Sequence, residues 1–128
     1  MKALDTSVLL EVLHDSARAK ALLKSLRGEE LATTEINMFE LEVLAGAGAR
    51  ASRPGRRNAL DRLRQRLTVL PVTAEGVREA RRFHQGAGSL DYRALIWGTL
   101  VAAGCGEFLT ARRGAPPSKG SPFKLRLA

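Results

Sequence analysis

The chain has one cysteine, Cys105, and two histidines, His14 and His84, with no spacing that joins them. A lone thiol closes no internal disulfide, and this scatter of sulfur and imidazole builds no tetrahedral zinc site. Aromatic residues make up only 5% of the chain, too few for a platform on which successive bases stack. No apolar run approaches the roughly 20 residues that a membrane-spanning helix requires, because charges interrupt every stretch. There is no glycine-rich phosphate loop with a well-placed lysine, and no internal repeat. Met1-Lys2 leads directly into a strand-like segment with an acid at its end, a pattern unlike a secretory signal, so a cytoplasmic location is expected.

What is present is a core-forming composition and a strong positive charge. The 128 residues are 45% hydrophobic, which suits one domain over residues 1–128 around its own core. Sixteen Arg and five Lys stand against four Asp and nine Glu, a formal net charge of +8. Such a field favours polyanions, above all nucleic acid, and arginine suits bidentate grasp of phosphate. An arginine-rich host composition would give the same numbers, so charge alone does not decide the partner.

Apolar spacing organises the chain. Lys2-Ala-Leu-Asp5 reads as a short buried strand, followed by a helix capped at Thr6 or Ser7 and running to Leu13. Asp15 is the expected cap of a second helix, which Gly28 ends. Leu31–Thr33 is a brief strand. A helix capped by Thr34 follows, with Ile36, Phe39, Leu41, Val43 and Leu44 as its apolar positions. Residues 46–57, rich in Gly, Ala, Arg and Ser, read as a loop. Leu60, Leu63 and Leu67 mark a helix whose outer face carries Arg57, Arg62, Arg64 and Arg66. A strand over 68–72 leads to a helix opened by Thr73. A long apolar helix spans about Asp91 to Ala103, and strands are expected at Glu107–Thr110 and Phe123–Leu127. Strands separated by helices imply an α/β fold, a parallel sheet with helices on both faces. Trp97 belongs in a core or a subunit contact, Cys105 in a small buried slot, and Gly98 permits close approach of another helix.

In such sheets functional groups collect at the carboxyl ends of the strands. Asp5 ends the first strand, Glu40 lies on the helix after the second, and Asp91 opens the long apolar helix. Three carboxylates brought to one edge would suit a hard cation, Mg²⁺ or Mn²⁺, that keeps some of its waters. Asp5 as a plain helix cap, Glu40 as a half-buried helix residue and Asp91 as an N-terminal helix charge are the structural alternatives. Thr6, Ser7 and Thr110 either orient such ligands or cap backbone.

Leu4-Asp5-Thr6-Ser7-Val8-Leu9-Leu10 resembles the opening of PIN domains, the fold of VapC-type ribonuclease toxins. Thr33-Thr34-Glu35-Ile36-Asn37-Met38-Phe39-Glu40-Leu41 is similar to their second motif. Ala94–Leu100 and Gly104–Thr110 resemble the third helix and the fourth strand. The resemblance implies a three-layer α/β/α architecture with about five parallel strands. It also implies a Mg²⁺- or Mn²⁺-dependent endoribonuclease, a cognate antitoxin protein, a homodimer, and metal ligands at Asp5 and Glu40, with Glu42 the competing alignment. The family's third acid falls where this chain has Arg93, leaving Asp91 two residues away. Its fourth acidic position falls in Thr110-Ala111-Arg112-Arg113, which holds no carboxylate. Arg93, Arg112 and Arg113 either neutralise the remaining acids or face RNA phosphates. A PIN-like domain that has lost catalysis and binds RNA or protein is the alternative those departures raise.

Overall fold

The computed structural model describes residues 1–46, 54–84, 92–111 and 124–127. In chain order the elements are β1 (Lys2–Leu4), α1 (Thr6–Leu13), α2 (Ala17–Ser25), β2 (Leu31–Thr34), α3 (Glu35–Gly46), α4 (Pro54–Arg66), β3 (Thr68–Leu70), α5 (Ala74–Phe83), α6 (Tyr92–Ala102), β4 (Glu107–Thr110) and β5 (Lys124–Leu127). The strands form one five-stranded sheet in the order β3-β2-β1-β4-β5, and every neighbouring pair is parallel. The expected α/β class with a parallel sheet holds.

Side chains of successive strand residues point to opposite faces, and here that alternation separates two cores. Leu4 and Leu109 face Val8, Leu9, Leu22, Met38, Leu41 and Leu63 from α1 to α4. Their neighbours Ala3 and Phe108 face Ile96, Trp97 and Leu100 of α6. Phe83 of α5 meets Trp97 edge-on, ring centroids 6.0 Å apart. Trp97 is therefore a core residue. Cys105 is buried on the same side, and burial pushes its thiol pKa up. Against α6, α5 packs backbone to backbone. A Cβ on Gly98 would collide with the Gly76 carbonyl and lie 2.6 Å from the Ala80 amide nitrogen.

Several local expectations are corrected. Asp5, rather than Thr6 or Ser7, is the N-cap of α1, and its side chain makes no capping bond. Ser16 caps α2 by accepting from the Ala19 amide, while Asp15 takes the left-handed conformation at φ 57°. The helix itself ends at Ser25, with Leu26 as its C-cap two residues before Gly28. Residues 54–57 are helical, because a proline at the first helical position sacrifices only an N–H without an intrahelical partner. Strand β3 ends at Leu70, just before Pro71, which has no N–H to give a ladder. On α3 the apolar face is misjudged. Asn37, Met38, Leu41 and Ala45 point inward, whereas Phe39, Val43 and Leu44 are exposed, at 67%, 54% and 50%. Asp91, the loop at 47–53, Arg112 and Arg113 lie outside the described residues.

One surface pair joins α3 to α4. Arg64 donates to both Glu35 carboxylate oxygens at 2.9 Å, and this holds the Glu35 pKa below its usual 4.5. A depressed carboxyl pKa contributes stability that is present above the unfolded value and is lost as pH falls through the folded one. Both side chains are nearly half exposed, so solvent screening limits the gain to about 1 kcal/mol or less. Arg64→Ala is accordingly expected to lose that amount at neutral pH in urea denaturation. The difference from the parent should vanish in strong acid; a deficit that persists there would locate the effect in packing instead.

Candidate active site

The strand order reverses between β1 and β4, since the sheet grows one way through β1, β2 and β3 and the other way through β4 and β5. At such a switch point the connections leave in opposite directions and open a crevice at the carboxyl ends of the strands. Asp5 leaves β1 and Thr110 ends β4 at this point. The Asp5 amide donates to the Leu109 carbonyl (2.9 Å), and its own carbonyl accepts from the Val8 and Leu9 amides, both at 3.0 Å. The backbone of Asp5 is thus fixed by the sheet on one side and the first turn of α1 on the other.

Its carboxylate is held by hydroxyls. Ser7 Oγ donates to Asp5 Oδ2 at 2.9 Å and Thr110 Oγ1 donates to the same oxygen at 2.8 Å. The Ala111 amide donates to Ser7 Oγ at 3.0 Å, which places the residue after β4 inside this network. Among the described residues no ion pair joins Asp5 to a guanidinium. Arg93 is exposed on the first turn of α6. Where an alternative of backbone capping stood beside ligand orientation, Ser7 and Thr110 spend their protons on the carboxylate.

Glu40 reaches the site from α3. Thr6 Oγ1 lies 3.4 Å from Glu40 Oε1 and accepts from Asn37 Nδ2 at 2.9 Å. Asn37 in turn accepts the Thr34 hydroxyl at 2.7 Å, while its amide donates to Thr34 Oγ1 at 3.1 Å. Thr34 is therefore the expected cap of α3. Every buried side-chain nitrogen and oxygen among the described residues has a partner. Glu40 is half-buried and Glu42 is exposed. Sequence reasoning passed over Asn37. The available signal was an amide three residues after a capping threonine, the spacing of a reciprocal cap.

The donors on these adjoining networks are hard oxygens: the Asp5 carboxylate, bonded by Ser7 and Thr110, and the Glu40 carboxylate, touched by the neighbouring residue Thr6. Such a set fits Mg²⁺ or Mn²⁺ in preference to a metal that wants sulfur or imidazole. Among the described residues no three His, Cys, Asp or Glu side chains form a cluster. The third candidate, Asp91, lies outside them.

The PIN domain family model matches residues 2–106. No curated protein matches the sequence at a significant level. Among solved structures, VapBC2 from Rickettsia felis, bound to a DNA fragment from its promoter, superposes with a TM-score of 0.75 at 14% identity, covering 99% of this chain and 98% of that one. A toxin–antitoxin complex from Klebsiella pneumoniae gives 0.70 at 17% identity over 97% and 99%. VapC20 of Mycobacterium tuberculosis, a Sarcin-Ricin loop cleaving toxin, gives 0.66 at 17% identity over 90% and 92%. At these identities the likeness establishes the fold.

Proposed function

Because the chain belongs to the PIN domain family, we propose that it is a Mg²⁺- or Mn²⁺-dependent endoribonuclease, the toxin of a toxin–antitoxin pair. The observation that carries this reading is the hydroxyl-held carboxylate of Asp5 at the switch point, with Glu40 approached through Thr6. Asp5 and Glu40 would hold the cation, with Asp91 as third ligand. A bound divalent ion lowers the pKa of its water and stabilises charge on a phosphodiester. The chain's own part is to fix the carboxylates. Ser7 and Thr110 both hold Oδ2 of Asp5, and Thr6 restrains Glu40. Arg93, Arg112 and Arg113 would meet RNA phosphates.

Two surfaces support the protein partners. Between α1, α2 and α4 runs a cavity of about 540 Å³, lined by Leu23, Leu26, Leu63 and Leu67 and edged by Lys24, Arg27 and Arg66. An apolar groove with a basic rim suits an amphipathic antitoxin segment carrying acidic side chains. The exposed Phe39, Val43 and Leu44 of α3 suit contact with a second copy of the chain. No helix among the described residues is long and apolar enough to cross a membrane.

Arg93, and Arg112 in the carboxylate-free stretch Thr110-Ala111-Arg112-Arg113, where the resemblance would put acids, favour a second reading, a domain that binds RNA or protein without cleaving it. The two readings separate on RNA cleavage in Mn²⁺ or Mg²⁺, which the first requires and which EDTA then abolishes. Ala111→Asp adds a carboxylate beside Ser7 and Asp5, because the Ala111 amide already touches Ser7 Oγ. It is expected to tighten Mn²⁺ binding by about tenfold or more in calorimetry. Adding Arg93→Asp should tighten it further. Unchanged affinity in both variants would show that the family's third and fourth acidic positions do not map here.

A further inference from the structure

We propose that Asn37 is a positioning residue that sets the direction of the Thr6 hydroxyl and so holds Glu40 for a divalent cation; this rests on the metal-site reading above. Asn37 is fully buried, at 0% exposure, and Thr6 is buried beside it. A buried amide is tolerated only where its polar groups are matched. Here the match has one sense. The Thr34 backbone N–H, which only donates, lies 3.4 Å from Asn37 Oδ1, and the Thr34 hydroxyl, already accepting from the Asn37 amide, donates to the same oxygen. The carbonyl end of the Asn37 side chain therefore faces Thr34, and its NH₂ end faces Thr6 Oγ1. Thr6 Oγ1 has a single proton. With an N–H pointed at its lone pair, that proton is left for Glu40 Oε1.

The chain Thr34–Asn37–Thr6–Glu40 ties the end of β2 to the start of α1 and back to the second turn of α3. It joins two segments that each deliver one carboxylate. An aspartate at 37 would reverse the sense, because a carboxylate accepts only: the Thr6 proton would turn to residue 37 and away from Glu40. A valine at 6 keeps the shape of threonine and removes the hydroxyl.

The test is calorimetric titration of Mn²⁺ into the full chain and into Thr6→Val, Thr6→Ser and Asn37→Asp, each first shown to be folded by circular dichroism. Thr6→Val and Asn37→Asp are expected to weaken Mn²⁺ binding by about tenfold or more, and Thr6→Ser to stay within about twofold of the parent. If the buried charge unfolds Asn37→Asp, the uncharged Thr6→Val still decides. Parent-like affinity in folded Thr6→Val overturns the inference, and so does an equal loss in Thr6→Ser, which would assign the effect to packing of the methyl group. A parent chain that takes up no Mn²⁺ overturns the metal reading itself and this inference with it.

Discussion

Asp5→Asn is expected to yield a folded protein that shows no saturable Mn²⁺ binding in a titration that saturates the parent, and no metal-dependent RNA cleavage. The fold should survive because Asp5 serves the structure mainly through its backbone, which bonds to Leu109, Val8 and Leu9. An asparagine amide oxygen also remains able to accept from Ser7 and Thr110, which both donate to one carboxylate oxygen. What changes is the second oxygen, replaced by an NH₂ group that repels a cation, and the loss of a full negative charge from a site of few carboxylates. In a chain of net charge +8, no surrounding excess of acids compensates. Mn²⁺ binding undiminished in folded Asp5→Asn would remove Asp5 from the ligand set.

The largest effect on stability is expected at Gly98. One added methyl there meets the Gly76 carbonyl and the backbone of Ala80, with Ala80 Cα at 2.9 Å. Backbone atoms of a packed helix do not yield as a side-chain tip does, so α5 must move off α6. Overpacking of this kind costs about 3 kcal/mol, a large part of the roughly 5–15 kcal/mol that holds a domain folded. Gly98→Ala is expected to lose that amount of unfolding free energy in urea denaturation, with a correspondingly lower midpoint, or to fail to fold. Gly46→Ala is the control. A Cβ there meets nothing within 4 Å, and alanine favours helix over glycine, so it should be neutral or slightly stabilising. A Gly98→Ala protein as stable as Gly46→Ala would mean that the two helices are not so closely packed.

The elements were legible where one local rule acts alone. Short apolar runs marked β1 and β4 as buried strands, and Thr34 and Thr73 capped the helices they precede. Legibility failed where two local rules competed. Asp15 and Ser16 are both good caps, and only the bond from the Ala19 amide to Ser16 Oγ chooses between them. On α3 the apolar residues outnumber the inward positions, so Phe39, Val43 and Leu44 could not be sorted from Met38 and Leu41 by spacing alone.

The sequence by itself determined the α/β class, the basic charge, the candidate carboxylates Asp5 and Glu40, and Gly98 as a close-approach position. Composition, period and the local ends of helices mark the class, the charge and Gly98, while the resemblance to PIN domains is what singles out Asp5 and Glu40 as candidate ligands. Only the tertiary structure decided the strand order β3-β2-β1-β4-β5 and hence a switch point between β1 and β4. That order brings Thr110 to Asp5 across 105 residues of chain and Asn37 to Thr6 across 31. A hydroxyl has no periodicity and no charge to announce its partner, so its role is written only in where the sheet carries it.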